Sequence, residues 1–119
     1  MHYVDGYVVP VPKKNLTAYR RLAEKMAKIC REHGALKYVE SVADDVKAGK
    51  WTSFPQSVKL KPNEKVVFAY VVYKSRAHRD SVNKKVMSDP RVKSMCHSKS
   101  MPFDGKRMFW GGFRNIVEA

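Results

Sequence analysis

The sequence predicts an α+β fold because it combines three strand-like runs, apolar on both faces, with two long helical segments. The runs cover residues 3–11, 66–73 and 108–113, and they carry aliphatic or aromatic side chains at odd and even positions alike. Since side chains along a strand point alternately to opposite faces, both faces of the predicted sheet are apolar. Two helices can cover one face. The second face needs another layer, and a second copy of the chain is its expected source.

The amino-terminal part predicts a strand followed by an amphipathic helix. The strand over residues 3–11 ends at Pro12, and the helix spans residues 14–33 before Gly34, which can take the left-handed conformation at low cost. Apolar side chains at three- and four-residue spacings form one stripe along this helix. The stripe consists of Leu16, Tyr19, Ala23, Met26 and Cys30.

The middle of the chain predicts an edge strand, a hairpin and a central strand. Residues 36–43 mix apolar and polar side chains, as is typical of an edge strand. Residues 57–60 alternate polar and apolar side chains, and residues 61–64 indicate a turn with proline at its favoured position. We therefore expect a short extra strand that forms a hairpin with the apolar run over residues 66–73, which should be central in the sheet.

The last third of the chain predicts two more helices and a closing strand. Ser75 is placed to cap a helix over residues 76–87. Asp89, followed by a proline at the first helical position, opens a short helix over residues 90–95. After a turn, the final strand covers residues 107–117.

The order of elements is strand, helix, strand, strand, helix, strand with one hairpin insertion, which is the ferredoxin-like arrangement. It places four antiparallel strands in one sheet with both helices on the same face, in a single domain over residues 1–119. Monomers seldom leave an apolar patch larger than roughly 300 to 600 Å² exposed, and the second sheet face would exceed that size. A homodimer through the sheet face is therefore predicted.

Length and composition exclude several classes of protein. The 119 residues, 44% of them hydrophobic, allow one compact domain with a modest core. No apolar stretch approaches the roughly 20 residues that a membrane span requires, and the amino terminus shows no signal-peptide core. The two cysteines, Cys30 and Cys96, are too few and too far apart for a disulfide framework. We therefore expect a cytoplasmic protein with no membrane partner.

The charge of the chain favours anionic partners. Its 24 lysines and arginines against 11 acidic residues give a net charge of +13, and such an excess attracts nucleic acid and other polyanions. The positive residues are scattered, which is also typical of an ordinary solvated surface. The basic faces of the two long helices are the candidate polyanion-binding surfaces. They carry Arg21, Lys25, Lys28, Lys84 and Lys85.

Three segments of the chain resemble a known family. They are residues 3–12 (YVDGYVVPVP), residues 80–91 (DSVNKKVMSDPR) and residues 101–113, in which MPFDGKRM precedes Gly-Gly-Phe. The segments are similar to the YbaA-like proteins, the bacterial domain-of-unknown-function family 1428. The resemblance implies a ferredoxin-like fold of the dimeric α-β barrel kind and no particular activity. Relatives in the wider superfamily include cofactor-free monooxygenases, isomerases, dehydratases and haem enzymes, which use the cleft between sheet and helices.

Polar groups among aromatic strand residues are the candidates for handling a ligand. They are Asp5 and Tyr7 in the first strand, Glu40 in the second and Tyr70 in the third. A carboxyl group in an apolar strand is costly to bury unpaired, and it can acquire a raised pKa suited to proton transfer. The alternative is a structural ion pair with Lys106, Arg107 or another cation.

Asp104 lies in a Pro-Phe-Asp-Gly turn and has two interpretations. An aspartate in such a turn commonly accepts backbone amide hydrogen bonds, so a structural role is the stronger interpretation. Lys106 and Arg107 beside it could instead hold an anion at the mouth of a cleft, which makes Asp104 and Arg107 candidate ligand-binding residues.

Trp51 and Phe54 are large apolar groups in a loose segment of the sequence. Such a loop can cover a pocket, contact a partner subunit or pack on its own domain. The sequence leaves these three roles open.

Two cysteine–histidine pairs are nominal metal ligands or nucleophiles. Cys30 and His33 stand three residues apart on the first helix, and Cys96 precedes His97. Structural zinc sites usually show close paired ligands such as Cys-x2-Cys, and a cysteine on an apolar helix stripe is more often an inert buried group. We therefore predict no metal site, no cofactor and no cysteine nucleophile.

Two function classes follow from these observations. In the first, a homodimer binds a small apolar or aromatic molecule between sheet and helices and can act on it by acid–base chemistry without a metal. In the second, the basic helix faces bind RNA or another polyanion. A sheet face covered by dimerisation would not offer the stacking aromatics that RNA-binding sheets of this topology use, which favours the first class.

Overall fold

The computed structural model describes residues 1–95 and 101–119. Within them, four strands form one open antiparallel sheet, accompanied by four α-helices. The strands are β1 (Tyr3–Pro12), β2 (Lys37–Val42), β3 (Glu64–Tyr73) and β4 (Phe109–Arg114). The helices are α1 (Leu16–Glu32), α2 (Phe54–Ser57), α3 (Arg76–Ser88) and α4 (Pro90–Met95). The predicted α+β class is confirmed.

The strands lie in the order β2-β3-β1-β4, and each neighbouring pair is antiparallel. β1 is internal, with Tyr3 opposite Tyr73 of β3 and Arg114 of β4. β3 is also internal, as its uninterrupted apolar sequence predicts, and β2 lies at an edge, as its mixed sequence predicts. This register decides which residues share a face of the sheet.

One sheet face packs against α1 and α3 and contains the core. Odd-numbered residues of β1 and β3 point to it, since Tyr7 pairs with Ala69 and Val9 pairs with Val67. One buried cluster on this face consists of Ile29, Cys30, Ala35, Val71, Tyr73, Val82, Val86 and Val92. Burying one large aliphatic side chain stabilises a fold by about 1.5–3 kcal/mol. The apolar stripe of α1 and the matching face of α3 therefore hold both helices on the sheet.

α1 stops before Gly34, as the sequence predicts, and its backbone shows why. Gly34 has a φ of +116°, in a region that glycine adopts at little cost. The Gly34 amide donates to the Arg31 carbonyl at 3.1 Å, and the Ala35 amide donates to the Cys30 carbonyl at 3.0 Å. These are the two hydrogen bonds of a Schellman motif, which satisfies carbonyls left free at the end of a helix.

The starts of α3 and α4 also confirm their predictions. Ser75 Oγ accepts a hydrogen bond from the His78 amide at 3.1 Å at the start of α3. Asp89 Oδ1 accepts from the Arg91 amide at 2.9 Å, and Pro90 takes the first helical position of α4. Both helices therefore begin where the local sequence satisfies amides that have no partner within the helix.

The predicted hairpin insertion is wrong. Residues 57–60 form no strand. Residue 57 is the last residue of α2, a helix capped by Ser53, whose Oγ accepts from the Gln56 amide at 3.3 Å. The cap and Pro55 in the first turn favour a helical turn over the extended conformation that polar–apolar alternation suggested. The apolar residues of this segment nevertheless point inward, and Val58 is only 1% exposed.

The last strand is shorter than predicted. β4 does not reach residues 107–108, because the Arg107 and Met108 amides each donate to the Asp104 carbonyl at 3.3 Å and so continue the preceding turn. It also ends before residues 115–117. The other helix and strand bounds lie within two residues of the predicted ones.

The second sheet face, here called the outer face, is partly covered by the chain itself. At one end Val8 and Val66 pack against Val58, and Ala43 and Leu60 lie beside them. The expectation that this face depends entirely on a second copy of the chain is therefore wrong at this end. The segment following α2 supplies the cover, because its apolar side chains face the sheet.

The rest of the outer face is exposed. Phe68 is 44% exposed, Phe109 is 46% exposed and Phe113 is 64% exposed. Phe54 of α2 meets Phe68 edge to face, with ring centroids 6.0 Å apart. Phe54 therefore packs on its own sheet, whereas Trp51 is 86% exposed.

Replacing Gly34 by alanine should destabilise the fold. An alanine at a φ of +116° is strained whatever its surroundings, and its Cβ would lie 3.4 Å from His78 Nε2. We expect the free energy of unfolding, measured by urea denaturation, to fall by about 1–3 kcal/mol. The control is Gly105→Ala, where the added Cβ meets nothing within 4 Å and the change should stay within about 0.5 kcal/mol. Equal stability of the two variants would contradict this account of the helix end.

Candidate functional site

A cleft of about 510 Å³ opens between α1 and β2. This α1–β2 cleft is walled mainly by apolar side chains of α1, β2 and β3. The apolar lining consists of Leu16, Ala23, Ala27, Val42 and Val67. The polar and aromatic lining consists of Tyr19, Arg20, Glu24, Tyr38, Glu40 and Ser41. A concave apolar surface with few polar groups is the usual form of a small-molecule site.

The local sequence explains why the cleft exists. Tyr38, Glu40 and Val42 alternate along β2 and share the helix-facing side, opposite Val71, Ala69 and Val67 of β3. On α1 the facing positions include two alanines, Ala23 and Ala27, one turn apart. Their short side chains cannot fill the space above the edge strand. The helix is thus docked by its larger residues further along, and room remains over β2.

Glu40 accepts hydrogen bonds from two tyrosines in this cleft. The Tyr19 hydroxyl donates to Glu40 Oε1, and the Tyr38 hydroxyl donates to Glu40 Oε2 at 2.7 Å. Burial raises the pKa of both tyrosine hydroxyls, and the nearby carboxylate raises it further. Both hydroxyls are therefore protonated near neutral pH and act as donors. We call these three residues the Tyr19–Glu40–Tyr38 cluster.

Charged groups at the mouth of the cleft pair with each other. Arg20 Nε lies 3.1 Å from Glu24 Oε1 one turn further along α1, and both side chains are largely exposed. An exposed pair at this spacing contributes about 0.3–0.5 kcal/mol to stability. It holds neither group rigidly, so both side chains can move to admit a molecule.

Asp5 does not belong to the cleft. It is fully buried on the helix-facing side of β1, where Arg79 Nη1 donates to Oδ1 at 2.9 Å and Asn83 Nδ2 donates to Oδ2 at 3.4 Å. Burial raises the pKa of Asp5, and the Arg79 guanidinium opposes that shift. The structural ion pair that the sequence left open is therefore found, and its cation is Arg79 of α3.

Tyr7 and Tyr70 lie on opposite faces of the sheet. Tyr7 faces the helices and stacks on Trp110, with ring centroids 5.9 Å apart, and burial raises its pKa. Tyr70 belongs to the outer face, where its ring lies 6.3 Å from that of Phe68. Tyr70 therefore cannot share a site between sheet and helices with Glu40. The sequence pattern did not show this, because the face of the sheet to which a strand residue points depends on how its strand pairs with the neighbouring strands.

Asp104 and Arg107 form a structural clamp. Asp104 Oδ1 accepts from the Lys106 amide at 2.9 Å, and its Oδ2 accepts from Arg107 Nε at 2.8 Å. Arg107 also makes a two-point contact with Glu64, Nη1 to Oε1 at 2.8 Å and Nη2 to Oε2 at 2.6 Å. Its Nη1 lies 3.0 Å from the Lys59 carbonyl. The guanidinium is thus engaged within the protein. The sequence did not reveal Glu64, because its partner is distant in the chain.

The candidate polyanion-binding residues are all exposed on α1 and α3. They are Arg21, Lys25, Lys28, Lys84 and Lys85. The structure thus places them on surfaces that a polyanion could reach, and none of the five is among the residues that line the α1–β2 cleft.

Cys30 and His33 have separate environments. Cys30 is buried, and burial raises the pKa of its thiol to about 11. His33 Nε2 lies 2.8 Å from Asp89 Oδ2. Cys96 and His97 lie outside the described residues. Within residues 1–95 and 101–119, no three His, Cys, Asp or Glu side chains come close enough to hold a metal ion. No helix in the same ranges is long and apolar enough to cross a bilayer.

Replacing Arg107 by methionine should destabilise the protein in a pH-dependent way. Arg107 holds the pKa values of Glu64 and Asp104 below their ordinary range. Stability from such carboxylates is present above their unfolded pKa values near 4 and is lost as pH falls through the lowered folded values.

We expect the free energy of unfolding of the Arg107→Met variant to be lower by about 3–5 kcal/mol at pH 7, since a buried carboxylate loses its partner. The difference from the wild-type chain should shrink towards pH 3 in urea titrations. Arg20→Met, at an exposed pair, is the matched control and should cost less than about 0.5 kcal/mol. A loss that is the same at both pH values would contradict the ion-pair explanation.

A solved structure with a similar fold is the de novo designed protein Foldit4. The alignment has a TM-score of 0.50 and covers 97% of this chain and 99% of that one, at 9% sequence identity. At this identity the likeness bears on the fold alone.

Sequence comparison identifies much closer relatives. The chain is 51% identical over 118 residues to the uncharacterized protein YbaA of Escherichia coli strain K12, with 99% of each chain covered. The same identity and coverage hold for the uncharacterized protein YbaA of Shigella flexneri. The family described as protein of unknown function, DUF1428, matches residues 2–105. The resemblance seen in the sequence motifs is thereby confirmed, and the chain belongs to the DUF1428 family.

Proposed function

We propose that this protein binds a small apolar or aromatic molecule in the α1–β2 cleft. One observation carries the proposal: a carboxylate lies between two tyrosine hydroxyls in an apolar cleft of about 510 Å³. Sites for small molecules are usually clefts of about 300–1,000 Å³ with a few well-placed polar groups. The cleft fits that description in its volume, its largely aliphatic lining and its few polar groups.

The cluster also supplies acid–base chemistry without a metal. Each Glu40 oxygen accepts one hydrogen bond from a tyrosine and retains a further lone pair. A bound molecule with an acidic proton near Glu40 could transfer it to the carboxylate, which the tyrosine hydroxyls position. This is the reaction class that we assign to the site if the bound molecule is transformed.

We further propose that the fold is ferredoxin-like and that two copies pair through the outer face as a dimeric α-β barrel. The strand order β2-β3-β1-β4 and the helices on one face support the first part. Exposed Phe68, Phe109 and Phe113 support the second. Lys37 is the one cation among the outer-face positions of the described strands. A chain of charge +13 can therefore approach its own copy there with little repulsion.

The alternative function is polyanion binding by the basic helix faces. Its support is the exposure of Arg21, Lys25, Lys28, Lys84 and Lys85 together with the net charge. Such binding would weaken steeply as salt concentration rises, because it releases counterions. A ligand held in the α1–β2 cleft would depend on salt much less.

Filling the cleft should abolish ligand binding. We propose the variant Ala27→Trp, whose indole would occupy the space between α1 and β2. In a screen of small aromatic compounds by ligand-observed NMR, compounds that bind the wild-type chain should lose affinity at least about tenfold. Ala18→Trp is the matched control, since Ala18 is exposed on the same helix. Compounds that bind Ala27→Trp as well as the wild-type chain would show that they use another site.

Placing a charge on the outer face should separate the proposed dimer. The Phe113→Asp variant puts two carboxylates into a two-fold interface, because each copy contributes the same residue. We expect sedimentation velocity at micromolar concentration to show a dimer for the wild-type chain and a monomer for the variant. Met87→Asp is the control: Met87 is 63% exposed on α3, away from the outer face. A wild-type monomer across the dilution series would refute the dimer.

A further inference from the structure

The Tyr19–Glu40–Tyr38 cluster offers a ligand hydrogen-bond acceptors only. A tyrosine hydroxyl carries one proton and two lone pairs, and a carboxylate carries lone pairs alone. Both hydroxyl protons are directed at Glu40, one to each carboxylate oxygen. Burial and the adjacent carboxylate raise the pKa of both tyrosines, so the protons stay in place. These oxygens can still accept hydrogen bonds, so a ligand that fits them must donate hydrogen bonds.

The charge of the cleft also favours a ligand that donates hydrogen bonds. The described residues that line it include two carboxylates, Glu24 and Glu40, and one cation, Arg20. Arg20 Nε donates to Glu24 Oε1. The hydrogen-bond partners of Glu40 are the two neutral hydroxyls, so no cation of the cleft lining neutralises its charge. One positive and two negative groups leave the cleft with a net charge of −1. The chain as a whole carries +13.

The overall positive charge does not outweigh this local field. At physiological ionic strength, interactions between exposed charges decay over about 8 Å. Surface cations that lie farther than this from the cleft are therefore largely screened from a group bound inside it. By comparison, the electrostatic interaction between the ligand and a carboxylate in contact with it, in a partly apolar site, is screened little.

A further hydroxyl, that of Ser41, lies at the cleft but on the other side of β2 from the cluster. Ser41 is exposed and stands opposite Phe68, on the outer-face side of β2. Tyr38 and Glu40 occupy the helix-facing side of the same strand. A ligand that contacts the cluster therefore meets acceptors at its polar end and mainly aliphatic side chains around the rest, with the Arg20–Glu24 pair at the mouth of the cleft.

We propose that the ligand of the α1–β2 cleft is a small apolar or aromatic molecule that carries a protonated amine. Glu40 binds the ammonium group, the hydroxyl oxygens of Tyr19 and Tyr38 accept its remaining N–H bonds, and Leu16, Ala23 and Val42 surround its apolar part. A carboxylate or phosphate ligand would find no donor at the cluster and would be repelled by Glu40. This inference rests on the proposed binding function and specifies the class of molecule.

Three matched sets of compounds test the inference. Each set joins one apolar group, phenyl, indole or cyclohexyl, to a primary amine, an alcohol or a carboxylate. Binding is measured at pH 7 and 0.15 M salt by two-dimensional amide NMR of the labelled chain, with shifts at Ala23, Ala27 and Val42 reporting on the cleft. We expect each amine to bind at least about tenfold more tightly than its alcohol, since a hydrogen bond to a charged group adds that much. The carboxylates should bind most weakly.

The variant Glu40→Gln supplies the second measurement. It keeps the side-chain shape and removes the charge, so amine affinity should fall about tenfold or more while alcohol affinity changes less than about twofold. Asp45→Asn, which removes an exposed carboxylate outside the cleft, should leave every affinity unchanged. If Glu40→Gln does not fold, the ranking of the three headgroups on the wild-type chain still decides the question.

The outcomes separate the two proposals. Cleft shifts with alcohols or carboxylates that bind as well as amines would overturn the amine inference and leave small-molecule binding intact. Shifts at none of the cleft residues with any of the nine compounds would count against the proposed binding function itself, and the inference would fall with it. Amine binding that Glu40→Gln leaves unchanged would place the cation elsewhere and would also overturn the inference.

Discussion

The register of β1 between β3 and β4 is the constraint on which the rest of the structure depends. Side chains alternate along a strand, so pairing Tyr7 with Ala69 and Trp110 decides which residues meet the helices and which form the outer face. A slip of one residue would exchange the two faces. The observed register places Val9 and Val71 beneath the helices. It places Asp5 there as well, where a buried carboxylate needs a partner.

Buried charge is therefore a structural matter at several places in this fold. Asp5 is neutralised by Arg79 of α3, and Glu64 is neutralised by Arg107. Removing one partner of such a pair leaves a buried charge that costs several kcal/mol, so these pairs tie distant segments together even where they add little net stability. Among the carboxylates that the sequence singled out, Glu40 differs, because its partners are neutral hydroxyls. In the proposed function, this charge binds the ligand.

The cleft and the exposed part of the outer face both arise because the available side chains do not cover the whole surface. Ala23 and Ala27 are too short to fill the space over β2, so the helix that completes the core also leaves a concavity beside it. On the outer face the segment after α2 covers Val8 and Val66 and leaves Phe109 exposed. The cleft and the remaining apolar surface are thus on opposite sides of the sheet, and an occupant of one need not interfere with an occupant of the other.

The sequence by itself determined what local physical chemistry controls. Gly34 ended α1 and Ser75 began α3, because a backbone conformation or a cap involves residues within a few positions of each other. The class of fold and the interior position of β3 followed from side-chain period and continuous apolar character. The predicted hairpin was wrong. The alternation over residues 57–60 indicated correctly which side chains are buried, but the Ser53 cap and Pro55 favour a helical turn where this segment begins.

Only the tertiary structure decided which polar groups meet. Asp5 and Arg79 are 74 residues apart, and Tyr19 and Glu40 are 21 apart. No local rule pairs such residues, since their contact depends on strand register and on how each helix docks on the sheet. For the same reason the sequence grouped Tyr70 with Glu40, whereas the pairing of β3 places the tyrosine on the other face.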